Sequence, residues 1–328
     1  MFFNFRLFTT VVLIMVLASA CGGGGGTTSS SGSSSSSSSS SSSTGSGAND
    51  IYRLKQIEIL EITNYEEGMS EDNYLLELQF KRDFSYNTNN EINLDRSYIG
   101  SASFPEGRLS SQSQYFYVND GGYKLDYKDI KLYDSWSDTG TGNLTTSIVS
   151  EYSWDQGVLT QVYQENQNYD VDTGNPSDID YSSYAISYDL ENLQTIYEVD
   201  FENNGSYDYT YVLSWNENVQ LIKVEQIQGS FINYGISQAS WEQEHFYNED
   251  GRIIQSITYQ PFYDIREESE FDYSTAGEVK VFTTVYDDMN QMTEVTIGIF
   301  SYELGSCGEN IAAQILIGFL LPYQCVGW

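Results

Sequence analysis

The residues with the clearest chemical pattern lie in Asp200-x-Glu202-x-Asn204-Gly205-x-x-Asp208. Oxygen-bearing side chains at positions one, three, five and nine, with Gly at six, let a short turn converge on calcium, which takes six to eight oxygens. Asp200, Glu202, Asn204 and Asp208 are therefore the candidate ligands, and calcium is the candidate cofactor. No acid stands at position twelve, so a solvated acidic turn in a very acidic chain is the competing reading. A second acidic loop, Asp170 to Asp180, has its spacing broken by an insertion, and Asp287 to Glu294 lacks the Gly.

His245 is the single histidine, so a Ser-His-Asp or Cys-His arrangement would have to use it, and a His-rich zinc site is excluded. In Trp241-Glu-Gln-Glu-His-Phe-Tyr, strand alternation sets it beside glutamates, and the expectation is a surface side chain without catalytic partners. Carboxylate pairs suited to glycoside hydrolysis arise anywhere among 47 acids, so no catalytic residue is assigned and the chain reads as a non-enzyme. Rows of Tyr and Trp could stack on sugar rings, but such rows more often form a sheet core.

Around these residues the chain has 328 residues, 40% apolar and 19% charged, with 14 Lys+Arg against 47 Asp+Glu for a formal charge of -33. Nucleic acid and anionic membrane both require a basic footprint, so binding to either by charge is excluded. With 28 Tyr, 16 Phe and 5 Trp, wholesale disorder is excluded as well.

Residues 1–20 carry one charge, Arg6, then an apolar run from Val11 to Leu17 that is too short to span a bilayer. Leu17-Ala18-Ser19-Ala20-Cys21 resembles the lipobox of bacterial lipoproteins. The resemblance implies cleavage before Cys21, diacylglycerol on its sulfur and an acyl chain, such as palmitate, on its new amino group. Gly22 at the following position implies sorting to the outer membrane, where Asp would imply retention. From Gly22 to Asn49 the chain holds 8 Gly, 15 Ser and 3 Thr with no charge, a flexible tether spanning roughly 30 Å. Removing Arg6 with the signal leaves 13 bases against 47 acids, or -34, so the anchor has to be lipid.

Residues 50–303 read as one all-β domain, a long antiparallel meander. Leu193, Thr195, Tyr197, Val199 and Phe201 alternate along one strand, and Tyr207, Tyr209, Tyr211, Leu213 and Trp215 repeat the pattern after a turn. Val279, Val281, Thr283 and Val285 alternate likewise, as do Val295, Ile297 and Ile299. An internal repeat underlies the pattern: an aromatic closes a strand, Asp, Asn or Ser opens a turn, Gly or Asn supplies positive φ, and an apolar residue starts the return strand. Its anchors are Tyr117, Trp154, Tyr188, Trp215, Tyr247 and Tyr273. These units resemble the YD repeats of bacterial RHS-type surface and secreted proteins, which implies an array of hairpins forming an open curved or barrel-like sheet.

A transmembrane barrel is the rival architecture. Against it, Val219 to Gln228 places Lys223 and Glu225 on the face of Leu221 and Ile227, and lipid penalises such charges. Residues 304–328 are expected to form a C-terminal cap, with a short helix from Asn310 to Leu321 stapled by a Cys307–Cys325 disulfide in an oxidising compartment. The expected function is a lipid-anchored acidic binding or structural module with a cell-surface protein or glycan partner. The rivals are a polysaccharide-active surface enzyme and a periplasmic carrier enclosing an apolar ligand.

Overall fold

The computed structural model describes residues 51–101, 103–119, 123–135, 141–156, 158–218, 220–229, 240–261, 264–304 and 325–327. The strands are β1 (Ile51–Ile62), β2 (Leu76–Tyr86), β3 (Ile92–Ser101), β4 (Phe104–Asn119), β5 (Tyr123–Tyr133), β6 (Leu144–Asp155), β7 (Val158–Tyr169) and β8 (Pro176–Asp189). They continue as β9 (Gln194–Asp200), β10 (Tyr209–Trp215), β11 (Leu221–Gln228), β12 (Trp241–Tyr247), β13 (Ile253–Gln260), β14 (Ile265–Asp272), β15 (Glu278–Tyr286), β16 (Met292–Leu304) and the short β17 (Cys325–Gly327). A single 3-10 turn, Glu71–Asn73, lies between β1 and β2.

Each strand from β1 to β16 pairs antiparallel with the next, and β1 also pairs with β16, Ile57 facing Phe300 and Leu60 facing Ile297. The sheet therefore closes into a ring of sixteen strands. The expected open alternative is overturned, because closure pairs the two edges that an open meander would leave to aggregate. The all-β antiparallel reading holds. β17 pairs with the start of β1, Arg53 facing Cys325, so part of the segment expected to be a helical cap is a short strand. Cys307 and the expected helix over 310–321 lie outside the described residues.

Alternation decides which face is buried. Pairing carries one set of residues around the inner wall: Leu54 and Ile57, Phe84, Tyr115, Tyr152 and Val162, Tyr184, Tyr197, Tyr211, Val224, Trp241, Val281 and Phe300, all buried. The outer wall carries Glu58, Lys81, Glu151, Glu165, Glu198, Glu242, Glu244, Glu268 and Glu270 in mid-strand, a surface costly to place in hydrocarbon. The alternating set Val279, Val281, Thr283 and Val285 faces inward, whereas Val295, Ile297 and Ile299 face outward. That outward patch is covered by Tyr65 and Tyr74 from the β1–β2 loop, which Lys280 on β15 holds through Glu71 at 3.3 Å.

The repeat has a structural counterpart. At the end where odd strands begin, an aromatic on each even strand from β2 to β12 donates a hydrogen bond to the odd strand before it. Tyr117 Oη bonds Ile92 O at 2.8 Å, Trp154 Nε1 bonds Leu125 O at 2.9 Å, Tyr188 Oη bonds Leu159 O at 3.1 Å and Tyr247 Oη bonds Leu221 O at 2.7 Å. Trp215 Nε1 reaches Thr195 Oγ1 at 3.1 Å, and Tyr86 Oη, outside the six sequence anchors, bonds Leu54 O. Arg252 lies over the ring of the sixth anchor, Tyr273, at 5.4 Å.

Asx turns follow the aromatics: Asn87, Asp189, Asn216 and Asn248 each accept amide N–H bonds from residues two to four further on. In the Asp189 turn the positive φ falls on Leu193, at 52°, where the plan of the repeat expects Gly or Asn.

A second recurrence escaped the sequence. Where five odd strands start, two of their residues oppose one on the strand before, with register shifts at Ser85/Tyr86, Phe116/Tyr117, Ser153/Trp154, Ser214/Trp215 and Phe246/Tyr247. Beside each bulge an apolar residue near the start of the return strand faces inward: Ile92, Leu125, Leu159, Leu221 and Ile253. This corrects the sequence-derived face of β11. Leu221 joins the inner cluster while Lys223 and Glu225 sit outside, where Lys223 bridges Glu225 at 3.0 Å and Glu242 at 3.1 Å.

Candidate binding site inside the barrel

The candidate calcium ligands lie on the loop from Phe201 to Asp208 and its flanks, at the end of the barrel opposite the bulges. Their oxygens serve the loop itself. Asp200, 2% exposed, accepts from the amides of Asn204 at 3.1 Å and Gly205 at 2.6 Å, and Asp208 accepts from the amide of Phe201 at 2.8 Å. Glu202 accepts from Asn204 Nδ2 at 3.0 Å, and Asn204 Oδ1 accepts from Ser206 N at 2.8 Å. Among the described residues no group of three or more His, Cys, Asp or Glu converges as a metal site. In the second loop Asp170 accepts from the amide and hydroxyl of Thr173, which hold its carboxyl below the usual range. In the third, Asp287 caps the amides of Met289 and Gln291. Cys21 and the tether lie outside the described residues.

His245 is the main correction. It is not a surface residue beside glutamates: it is 4% exposed on the inner wall, and Glu242 and Glu244 occupy the outer one. The alternation was read correctly but attached to the wrong side, because a closed ring buries the face that Trp241, Gln243 and His245 share. Burial pushes the imidazole down to about 4, so it is neutral at neutral pH. Nδ1 lies 2.7 Å from Ser256 Oγ, while Nε2 is buried with no hydrogen-bond partner. Two residues earlier, Gln243 donates to Thr258 Oγ1 at 3.0 Å, and its Oε1 is also buried and unpartnered.

On the wall formed by β2 to β5, charge enters the barrel. Arg82 Nε donates to Asp95 Oδ1 at 3.0 Å and Nη2 lies 3.0 Å from Oδ2, and Tyr115 Oη donates to Oδ2 at 2.6 Å. Burial alone would raise the Asp95 carboxyl, but the Arg82 and Lys128 charges outweigh it and hold it below its ordinary value. Lys128 extends over the Tyr115 ring with Nζ 4.8 Å from the centroid and is 2% exposed. Burial pushes its ammonium down to about 8, against the pull of Asp95.

Across the sheet Lys128 faces Ser150, Ser150 faces Gln164 and Gln164 faces Ser182. Gln164 organises this rung, donating to Ser150 Oγ at 2.9 Å and accepting from Ser182 Oγ at 3.3 Å and Tyr184 Oη at 3.0 Å. Asn166, one rung on, keeps a buried Oδ1 without a partner.

The inner wall thus carries a polar waist bounded by apolar rungs, Ile130 and Ile148 on one side and Tyr152 and Val162 on the other. Sequence reasoning missed it because Lys128, Asp95 and Arg82 are scattered among 61 charged residues, the 14 bases plus 47 acids. The parity of Lys128 with Ile130, of Arg82 with Phe84 and of Asp95 with Ile99 is the signal that marks them as inward.

No protein-family model matches the sequence, and no curated relative does. Among solved structures, a protein of unknown function from Bacteroides fragilis is 14% identical, with 60% of this chain and 95% of that one covered, at a TM-score of 0.18. A TcdB2-TccC3 structure lacking its hypervariable C-terminal region is 10% identical over 78% of this chain and 18% of that one, at 0.17. A DUF3598-family protein of unknown function from Nostoc punctiforme is 12% identical over 78% and 96%, also at 0.17. At these scores the likenesses carry no argument about architecture or activity.

Proposed function

We propose that this chain is an outer-membrane lipoprotein, anchored through acyl chains on Cys21, that displays an acidic barrel of YD-like hairpins as a binding or structural module. The observation that supports this most is where the chain enters the barrel. The first residue of β1, Ile51, and the last residues of β16 lie at the bulge end, so the tether approaches there. The loops at the opposite end then face away from the membrane, with Glu66, Glu67, Asp72, Asp172, Glu202 and Asp288 exposed on them. A rim of that charge favours a cationic partner surface and repels anionic head groups. The charged outer wall suits a barrel standing clear of lipid on its tether.

Fractionation tests the anchor: wild type is expected in outer-membrane fractions and to partition into detergent, and Cys21→Ser to be released or stalled. Fluorophores on Asp250→Cys at the bulge end and Met289→Cys at the far end test the orientation. A head-group quencher is expected to dim the first more strongly. Recovery of wild type as a soluble chain would overturn the anchor, and the reverse quenching order would overturn the display.

A further inference from the structure

We propose that the outer wall binds a quaternary ammonium group between the rings of Tyr127 and Tyr163, with Glu151 as its counter-ion. One rung of the sheet sets these side chains in a row: Phe116 faces Tyr127, Tyr127 faces Glu151 and Glu151 faces Tyr163. The Phe116 ring stacks on Tyr127 at 4.1 Å and 12°, and the Tyr181 ring stacks on Tyr163 at 5.9 Å and 23°. Phe116 and Tyr181 lie on β4 and β8, the strands beyond the pair, so each covers the far face of its neighbour. The faces left uncovered are turned toward β6, where Glu151 is exposed between them. The result is a slot open to solvent, with Tyr127 36% exposed on one side and Val149 38% exposed beside Glu151.

Distance and charge define the ligand. Two strand spacings separate Tyr127 from Tyr163 by about 10 Å. A cation midway then lies within about 6 Å of both ring centroids, the range of a cation–π contact, and a trimethylammonium group is thick enough to touch both faces. Asp129 and Glu165 flank Val149 on the next rung, and one oxygen of Asp129 is buried without a hydrogen-bond partner. Among the described residues neither Glu151 nor Glu165 has an ion-pair partner, and Lys131, the next base along this face of β5, stands two rungs from Tyr127. Desolvation, Tyr181 and the carboxylates of Glu165 and Glu151 all push the Tyr163 phenol up, which sets both acids beside that ring. No three acids among the described residues converge closely enough for a metal ion, so the charge suits a larger organic cation. This reading rests on neither the anchor nor the orientation of the barrel.

The test uses the full chain carrying Cys21→Ser, free of detergent, with choline as the probe. Its control is the alcohol in which a quaternary carbon replaces the nitrogen. Tyrosine ring resonances followed by NMR at low ionic strength are expected to shift saturably at millimolar choline, with the alcohol binding at least fivefold more weakly. Tyr163→Leu and Glu151→Gln are each expected to weaken choline binding at least threefold, while Tyr163→Phe, which keeps the ring face, retains it. Glu270→Gln, which removes an exposed acid from β14, is expected to leave binding unchanged. Equal binding of choline and the alcohol, no saturable binding, or an equal shift from sodium chloride overturns the proposal without recourse to any variant. So does undiminished binding by Tyr163→Leu, and so does equal weakening by Glu151→Gln and Glu270→Gln, which would reduce the effect to the net charge of the chain.

Discussion

Tyr247 donates its hydroxyl to the Leu221 carbonyl at 2.7 Å, tying the end of β12 to the start of β11 beside the bulge that turns Leu221 inward. The same geometry links Tyr188 to Leu159 and Tyr117 to Ile92. One bond geometry thus recurs beside turns of different sequence, next to a bulge in each case. Tyr247→Phe, which keeps the ring and removes the donor, is expected to cost about 1 kcal/mol. Urea denaturation would show this as a lower midpoint with an unchanged slope, and an unchanged midpoint would deny the bond its role.

Arg82 and Asp95 are both buried, so removing one leaves the other's charge without its partner. Arg82→Met is expected to destabilise by about 3–5 kcal/mol, and the double change Arg82→Met with Asp95→Leu by less than the sum of the two single changes. A double-mutant cycle in denaturant measures this directly, and strict additivity would show that the pair is not coupled.

His245 makes folding sensitive to acid. Its pKa is about 4 in the fold and 6.5 in the unfolded chain, so between these values the unfolded state binds more protons and stability rises with pH. Its contribution is complete above 6.5 and lost as pH falls toward 4, about 3 kcal/mol in all. Asp170 and Asp189, whose carboxyls are held low by local hydrogen bonds, add to the acid slope. His245→Gln should therefore flatten the melting-temperature profile between pH 4 and 6.5 relative to wild type, and an identical profile would contradict burial of a neutral imidazole.

The acidic loop gives a calcium prediction. Millimolar calcium is expected to raise the melting temperature, and magnesium less, because it holds its waters and demands octahedral geometry. Calcium must compete with the amides of Asn204 and Gly205 for Asp200, so Asp200→Ala should also loosen the loop in the absence of metal. Asp200→Ala with Asp208→Ala should remove most of the calcium gain. Equal responses to both metals, retained by the double variant, would reduce the effect to screening of net charge.

For the C-terminal cysteines, mass spectrometry without reductant is expected to find Cys307 linked to Cys325, a staple worth about 3 kcal/mol on loop entropy. Two free thiols in exported protein would refute it.

Period two, Asx turns and aromatic anchors were legible along the sequence, because each depends on residues within one hairpin. Thr195, Tyr197 and Val199 do face Tyr209, Tyr211 and Leu213 as their parity demands. Closure was not legible: whether β1 finds β16 depends on twist and register accumulated over sixteen strands, which no local segment encodes. Closure in turn decided that His245, Lys128 and Asp95 lie inside a low-dielectric wall while the equally alternating Val295 and Ile297 lie outside under a loop. Alternation fixes which residues share a face. Only the tertiary structure decides which face is buried, and with it which charges leave water.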